Sequence, residues 1–213
     1  MKKLMCAALL VVGSATSANA AVTVSRTPGS ATYAGPTPTY TFSVGSIPNF
    51  TGGSIETTDT PLDSRPLGSS GNFYSVSDDN SPGTISLAGF GAISSLSFIW
   101  GSVDTYNTLS FLNSAGSTIY SITGSQLLGS SAAADGDQEA ARTNPVVTFN
   151  FTDGDQNVSA MRLTSTGKSF EIDNIAISPV PEPATWGMMM LGLGLAGATL
   201  RRRRSSTATL AAA

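Results

Sequence analysis

The chain has 213 residues and not one histidine, and its single cysteine, Cys6, lies near the start. Without histidine there is no Ser-His-Asp triad, no Cys-His dyad and no His-ligated zinc or haem. Basic side chains are also scarce. Residues 21–180 hold five of them against thirteen acidic ones, a net charge of −8. Nucleic-acid binding needs a basic footprint, so that class is excluded as well. The same stretch has no long helical period. What remains for chemistry is carboxylates on a β-rich frame.

The two ends are more explicit. Lys2 and Lys3 precede an apolar run from Leu4 to Gly13, and small residues follow to Ala18-Asn19-Ala20. This is the pattern of a secretory signal peptide, with Ala18 and Ala20 as the A-x-A cleavage signature and residues 1–20 removed. The expected partners are the Sec translocon and signal peptidase, and the mature chain starts at Ala21. Cys6 has no lipobox before it and leaves with the signal, so the mature protein holds no thiol and no disulfide.

At the other end, Pro181-Glu182-Pro183 fixes φ twice and removes two donors, which makes an extended, solvated segment. Trp186 to Leu200 follows without a charge, and then come Arg201, Arg202, Arg203 and Arg204. As a helix the apolar stretch spans roughly 22 Å, against a hydrocarbon core of about 30 Å, which makes a marginal transmembrane anchor. Trp186 suits the interface, and the arginines stay cytoplasmic by the positive-inside rule, with Ser205 to Ala213 as a short tail behind them.

This order and spacing resemble the PEP-CTERM sorting signal of Gram-negative bacteria, in the variant with Trp three residues after the second Pro. The resemblance implies recognition and cleavage near Pro181 to Pro183 by exosortase. It also implies export across the inner membrane, transient anchoring through the C-terminal helix, and a final place at the cell surface or outside it. Gly187 stands where Ala is the usual residue, and the nine-residue tail is longer than is common.

The body, residues 21–179, reads as one all-β domain, a β-sandwich of jelly-roll type. The alternation predicts strands over Ala21–Arg26, Tyr40–Val44, Phe73–Val76, Thr84–Leu87, Ile93–Trp100, Thr108–Leu112, Thr118–Thr123, Val146–Phe151, Ala160–Ser165 and Phe170–Ser178. Leu96, Phe98 and Trp100 share one face, as do Val147, Phe149 and Phe151, and both faces are expected in the core. Asn113 to Gly116 and Asp153-Gly154 are expected turns. Residues 27–39, 51–72 and 127–143 are expected loops, the natural place for a binding surface. From Trp100 to Thr108 and again over Phe170-Glu-Ile-Asp-Asn-Ile175, the body resembles exosortase-dependent surface proteins.

Several residues are candidates for chemistry. The runs Asp135-Gly-Asp-Gln138 and Asp153-Gly-Asp-Gln156 are either tight turns or partial Ca²⁺ ligand sets. The buried parity switches between Phe170/Ile172 and Ile175/Ile177, which predicts a β-bulge at Asp173-Asn174. There Asp173 either holds a structural Ca²⁺ or caps loop amides, so Asp135, Asp137 and Asp173 form the candidate metal set. A glycosidase would draw two carboxylates from Asp104, Glu139, Glu171 and Asp173, yet no pattern selects a pair. Of the aromatics, Trp100 fits the core and Tyr106, in a strand connection, is the candidate sugar platform.

The leading expectation is therefore a non-catalytic exported surface protein tied to exopolysaccharide or biofilm. The alternative is a carbohydrate-binding module or weak glycoside-active enzyme. Ice binding would need flat, regular threonine arrays, and no such repeat is present.

Overall fold

The computed structural model describes residues 22–152, 157–181 and 186–198. Two antiparallel sheets face each other. One runs in the order β1 (Thr23–Thr27), β9 (Val146–Asn150), β6 (Ile93–Gly101), β11 (Phe170–Pro179), β4 (Phe73–Val76), β3 (Ser54–Glu56). The other runs β2 (Phe50–Thr51), β5 (Gly83–Ser86), β10 (Ala160–Ser165), β7 (Asn107–Leu112), β8 (Thr118–Thr123). From β4 onward nearly every connection crosses from one sheet to the other, β7–β8 being the exception. This is the habit of a jelly roll.

The core follows from period-two alternation. Leu96, Phe98 and Trp100 on β6 are fully buried, and Phe98 and Leu96 pair with Val147 and Phe149 on β9. The second sheet answers with Ile85, Leu109, Phe111, Met161 and Leu163, all fully buried. Trp100 stacks on Phe170 at 4.4 Å between ring centroids, and Phe111 meets Phe149 edge-on at 4.9 Å. Each such side chain stabilises the fold by about 1.5–3 kcal/mol through burial. The other face of the first sheet is also covered. Ile99 is buried there beside the segment 27–36 and Leu67, while Ser97 on the same face of β6 hydrogen-bonds Thr148 Oγ1 at 2.8 Å.

The bulge at Asp173-Asn174 is present. Asp173 pairs with Ile99 and Ala176 with Ser97, so Asn174 and Ile175 together oppose one residue, Phe98. Asn174 adopts φ 56°, and the extra residue lets both Ile172 and Ile175 reach the core. Asn is one of the few residues that tolerate this left-handed backbone. Asn174→Gly is therefore expected to be nearly neutral, whereas Asn174→Val costs about 1–2 kcal/mol in urea unfolding. Equal midpoints for the two variants would contradict this.

Three segments differ from expectation. Residues 41–44 form no strand; only Tyr40 bridges to Ile175. Phe42 sits at φ 54° in a turn closed by its amide on the Ser46 carbonyl (3.0 Å), and its ring stacks on Tyr74 at 5.5 Å. Burying Phe42 through a turn outweighs continuing the ladder. Within the expected loop 51–72, the short β3 pairs with β4 as an edge strand, with Ile55 opposite Tyr74. Ahead of the expected loop 127–143 lies a short helix, α1 (Gly124–Leu128), held by a capping box. Thr123 N–H donates to Gln126 Oε1 at 2.9 Å, and Gln126 N–H donates to Thr123 Oγ1 at 3.2 Å.

The turn after β7 is as expected. Asn113 Oδ1 accepts from the amides of Ala115 and Ser117, and Gly116 takes φ 77°. The Asp153-Gly154 turn lies outside the described residues.

Candidate functional site

At one end of the sandwich, loops close around a cavity of about 160 Å³. The β6–β7 connection supplies Ser102, Asp104 and Tyr106. The loop after α1 supplies Asp135, Gly136 and Gln138. Lys168, Ser169 and Glu171 come from the β10–β11 turn and the start of β11, and Pro61 and Leu62 complete the wall.

One buried side chain fastens these loops. Asn144 Oδ1 accepts from the amides of Leu67 (3.1 Å) and Ser102 (3.2 Å). Its Nδ2 donates to the carbonyls of Asp137, Gln138 and Ala140 at 3.2, 3.1 and 3.0 Å. Asp104 and Asp135 form an isolated β-bridge that ties two of these loops together. Gly136 stands at φ 69°, and a Cβ there would lie 2.3 Å from Asp104 Oδ1, so only glycine leaves room for that carboxylate. The Tyr106 hydroxyl bonds Asp104, and its ring lies over Gly167.

Glu171 is the least ordinary group in the wall. It is 1% exposed, and Oε1 accepts from the Ser169 hydroxyl and from the Ser64 amide at 3.2 Å. Among the described residues Oε2 has no partner, and neither has Ser102 Oγ. Burial pushes the Glu171 carboxyl up to about 7, with the Ser169 and Ser64 hydrogen bonds offsetting part of the shift. Burial also raises Asp104; its bond to Tyr106 works against the shift and the charge of Asp135 adds to it. The Tyr106 hydroxyl is raised too, first by burial and then by Asp104. Asp135, exposed, is held below the usual carboxylate range by its hydrogen bond from Arg142, an ion pair of 2.5 Å.

The structure thus gathers three sequence candidates, Asp104, Tyr106 and Glu171, into one cavity. Glu139 is exposed and does not line it. Asp173 lies elsewhere, fully buried, its Oδ2 accepting from the Ser69 hydroxyl and its Oδ1 without a partner among the described residues. Burial raises it to about 6, offset by the Ser69 and Asn174 hydrogen bonds and the charge of Arg65. The candidate metal set is not brought together. Asp135 and Asp137 both turn to Arg142, at 2.5 and 3.6 Å, while Asp173 serves Ser69. Among the described residues no group of three or more Asp or Glu could hold a metal ion. Trp100 is in the core as expected, and Tyr120 packs edge-on against Phe149 at 6.2 Å. Lys168 and Asn144 had no signal in the sequence, and nothing local marks Asn144 as the side chain that joins distant loops.

Beyond β11, Trp186 and the apolar residues after it lie on a helix over 186–198 and are exposed. The expected transmembrane helix is not matched. Thirteen residues rise only about 20 Å, and among the described residues no helix is long and apolar enough to cross a membrane. Ala18, Ala20, Glu182, Pro183 and Arg201 to Arg204 lie outside the described residues.

The family model of the PEP-CTERM protein-sorting motif matches residues 179–204. No curated protein and no solved structure matches the chain. The expected likeness of the body to exosortase-dependent surface proteins has no support in these comparisons. The motif is the mark of an exported protein sorted at the membrane, with exosortase as its processing partner.

Proposed function

With a PEP-CTERM sorting motif at residues 179–204 as the premise, we propose that this chain is a non-catalytic, exported β-sandwich. Exosortase frees it from its C-terminal segment, and it works at the cell surface in contact with extracellular polysaccharide. The observation that carries this is the junction between domain and motif. β11 is an inner strand of its sheet, and it ends at Pro179, where the motif begins. Val180 N–H still donates to the Ala92 carbonyl at 2.7 Å. A cut at Pro181 to Pro183 therefore removes the sorting segment without taking a single pair from the sheet. The signal-peptide pattern ending at Ala20 supplies the export step.

Binding is favoured over hydrolysis at the cavity. A glycosidase needs one carboxyl kept as acid and a partner kept ionised. Here burial raises both Asp104 and Glu171, the latter to about 7, so the pair alone does not decide; the cavity of about 160 Å³ has room for one ring and not for the two sugars that flank a scissile bond.

Intact mass and peptide mapping of the protein recovered from its native surface test the reading. The expected chain starts at Ala21 and ends between Pro181 and Pro183. A recovered chain that still carries Trp186 to Arg204 would overturn processing.

A further inference from the structure

We propose that the cavity beside Asp104, Tyr106 and Glu171 is a saccharide site that takes neighbouring hydroxyls of one neutral pyranose ring. The proposal deepens the polysaccharide contact in the reading above and rests on it, but not on the processing step. Its carrying observation is a pair of stranded polar atoms. Glu171 Oε2 and Ser102 Oγ have no partner among the described residues, and the two residues that carry them, 1% and 4% exposed, line the cavity. Buried polar atoms are normally paired, and an orphan marks a place for a ligand or water. A sugar hydroxyl both donates and accepts, so it satisfies Glu171 whether that carboxyl is protonated or not.

The remaining wall selects among ligands. Asp104 offers a second acceptor, while Lys168 and Gln138 offer donors. Half-buried Tyr106 contributes an aromatic wall. An anionic ligand would meet Asp104, Asp135 and Glu171. A bare cation would meet Lys168 and would lack a convergent set of three carboxylates among the described residues. A neutral polyol avoids both conflicts. The volume of about 160 Å³ is well below the roughly 300–1,000 Å³ of drug-sized pockets, which limits the occupant to a single ring.

Titration calorimetry of the exported protein tests this, with methyl glucopyranoside, galactopyranoside and mannopyranoside as probes and calcium chloride in a separate run. The expected result is saturable millimolar binding of at least one glycoside. Asp104→Asn and Lys168→Ala should each weaken it about tenfold, the effect of losing one charge-assisted hydrogen bond. Lys168 is exposed, so its variant should keep the wild-type unfolding midpoint, which separates lost contact from lost fold. No saturation with any glycoside overturns the proposal, and so does binding that both variants leave unchanged. Saturation by calcium alone would reassign the cavity to a cation. Glycoside binding by a chain found uncut would keep this site while removing the processing step.

Discussion

Glu171→Gln is expected to stabilise the sandwich above pH 7 by about 3 kcal/mol and to leave it unchanged below pH 4.5, with the difference building up between the two. The carboxyl titrates at about 7 in the folded chain against 4.5 ordinarily, because it is buried with one oxygen unpaired. A raised value means that the folded state holds the proton more tightly than the unfolded one. Its contribution is fully present below pH 4.5 and is lost as pH rises through 7. At about 1.4 kcal/mol per unit, the loss comes to about 3 kcal/mol. The amide of Gln never ionises and keeps an oxygen for Ser169 and Ser64, so the variant escapes the loss. Asp173, raised from 3.8 to about 6, acts with the same sign over its own window. Wild-type protein is therefore more stable in mild acid than in alkali. Urea unfolding at several pH values reads this directly. A flat wild-type profile, or a Gln variant weaker above pH 7, would refute the account of Glu171.

Trp100→Ala is expected to cost about 3–5 kcal/mol, which is a large part of the roughly 5–15 kcal/mol that holds a domain together. Trp100 is fully buried on an inner strand and stacks on Phe170 at 4.4 Å and on Phe98 at 6.4 Å. Removing it opens a cavity where the two sheets meet. Trp100→Phe should cost less, because a ring stays against Phe170 and the unpartnered indole N–H disappears. Denaturant midpoints of the two variants rank them. A smaller loss for Ala than for Phe would mean that the stack is not what the site supplies.

The β body was legible because strand burial alternates within a few residues. β4, β8 and β10 fall at their expected bounds, and the bulge at Asp173-Asn174 was visible as a parity change between Ile172 and Ile175. Thr123-Gly-Ser-Gln126 carried a capping-box signal for α1 that the surrounding loop composition hid. Residues 41–44 misled, because an alternating run does not show that Phe42 reaches the core through a turn. The metal set misled for a related reason: Arg142, a few residues along the chain, claims both Asp135 and Asp137.

By itself, then, the sequence determined the sorting motif at 179–204, the all-β class, the core faces of β6 and β9 and the absence of histidine chemistry. All of these depend on order, period or composition, which need no folding to read. Only the tertiary structure decided which carboxylates meet. It placed Asp104 and Glu171 in one cavity and Asp173 behind Ser69, and it stranded one oxygen on Glu171. Those outcomes depend on how loops far apart in the chain are pinned together. Asn144 joins Leu67, Ser102 and residues 137–140 through hydrogen bonds whose partners lie as much as 77 positions apart. Local sequence holds no trace of such contacts, because each is made only when the sheets have already closed.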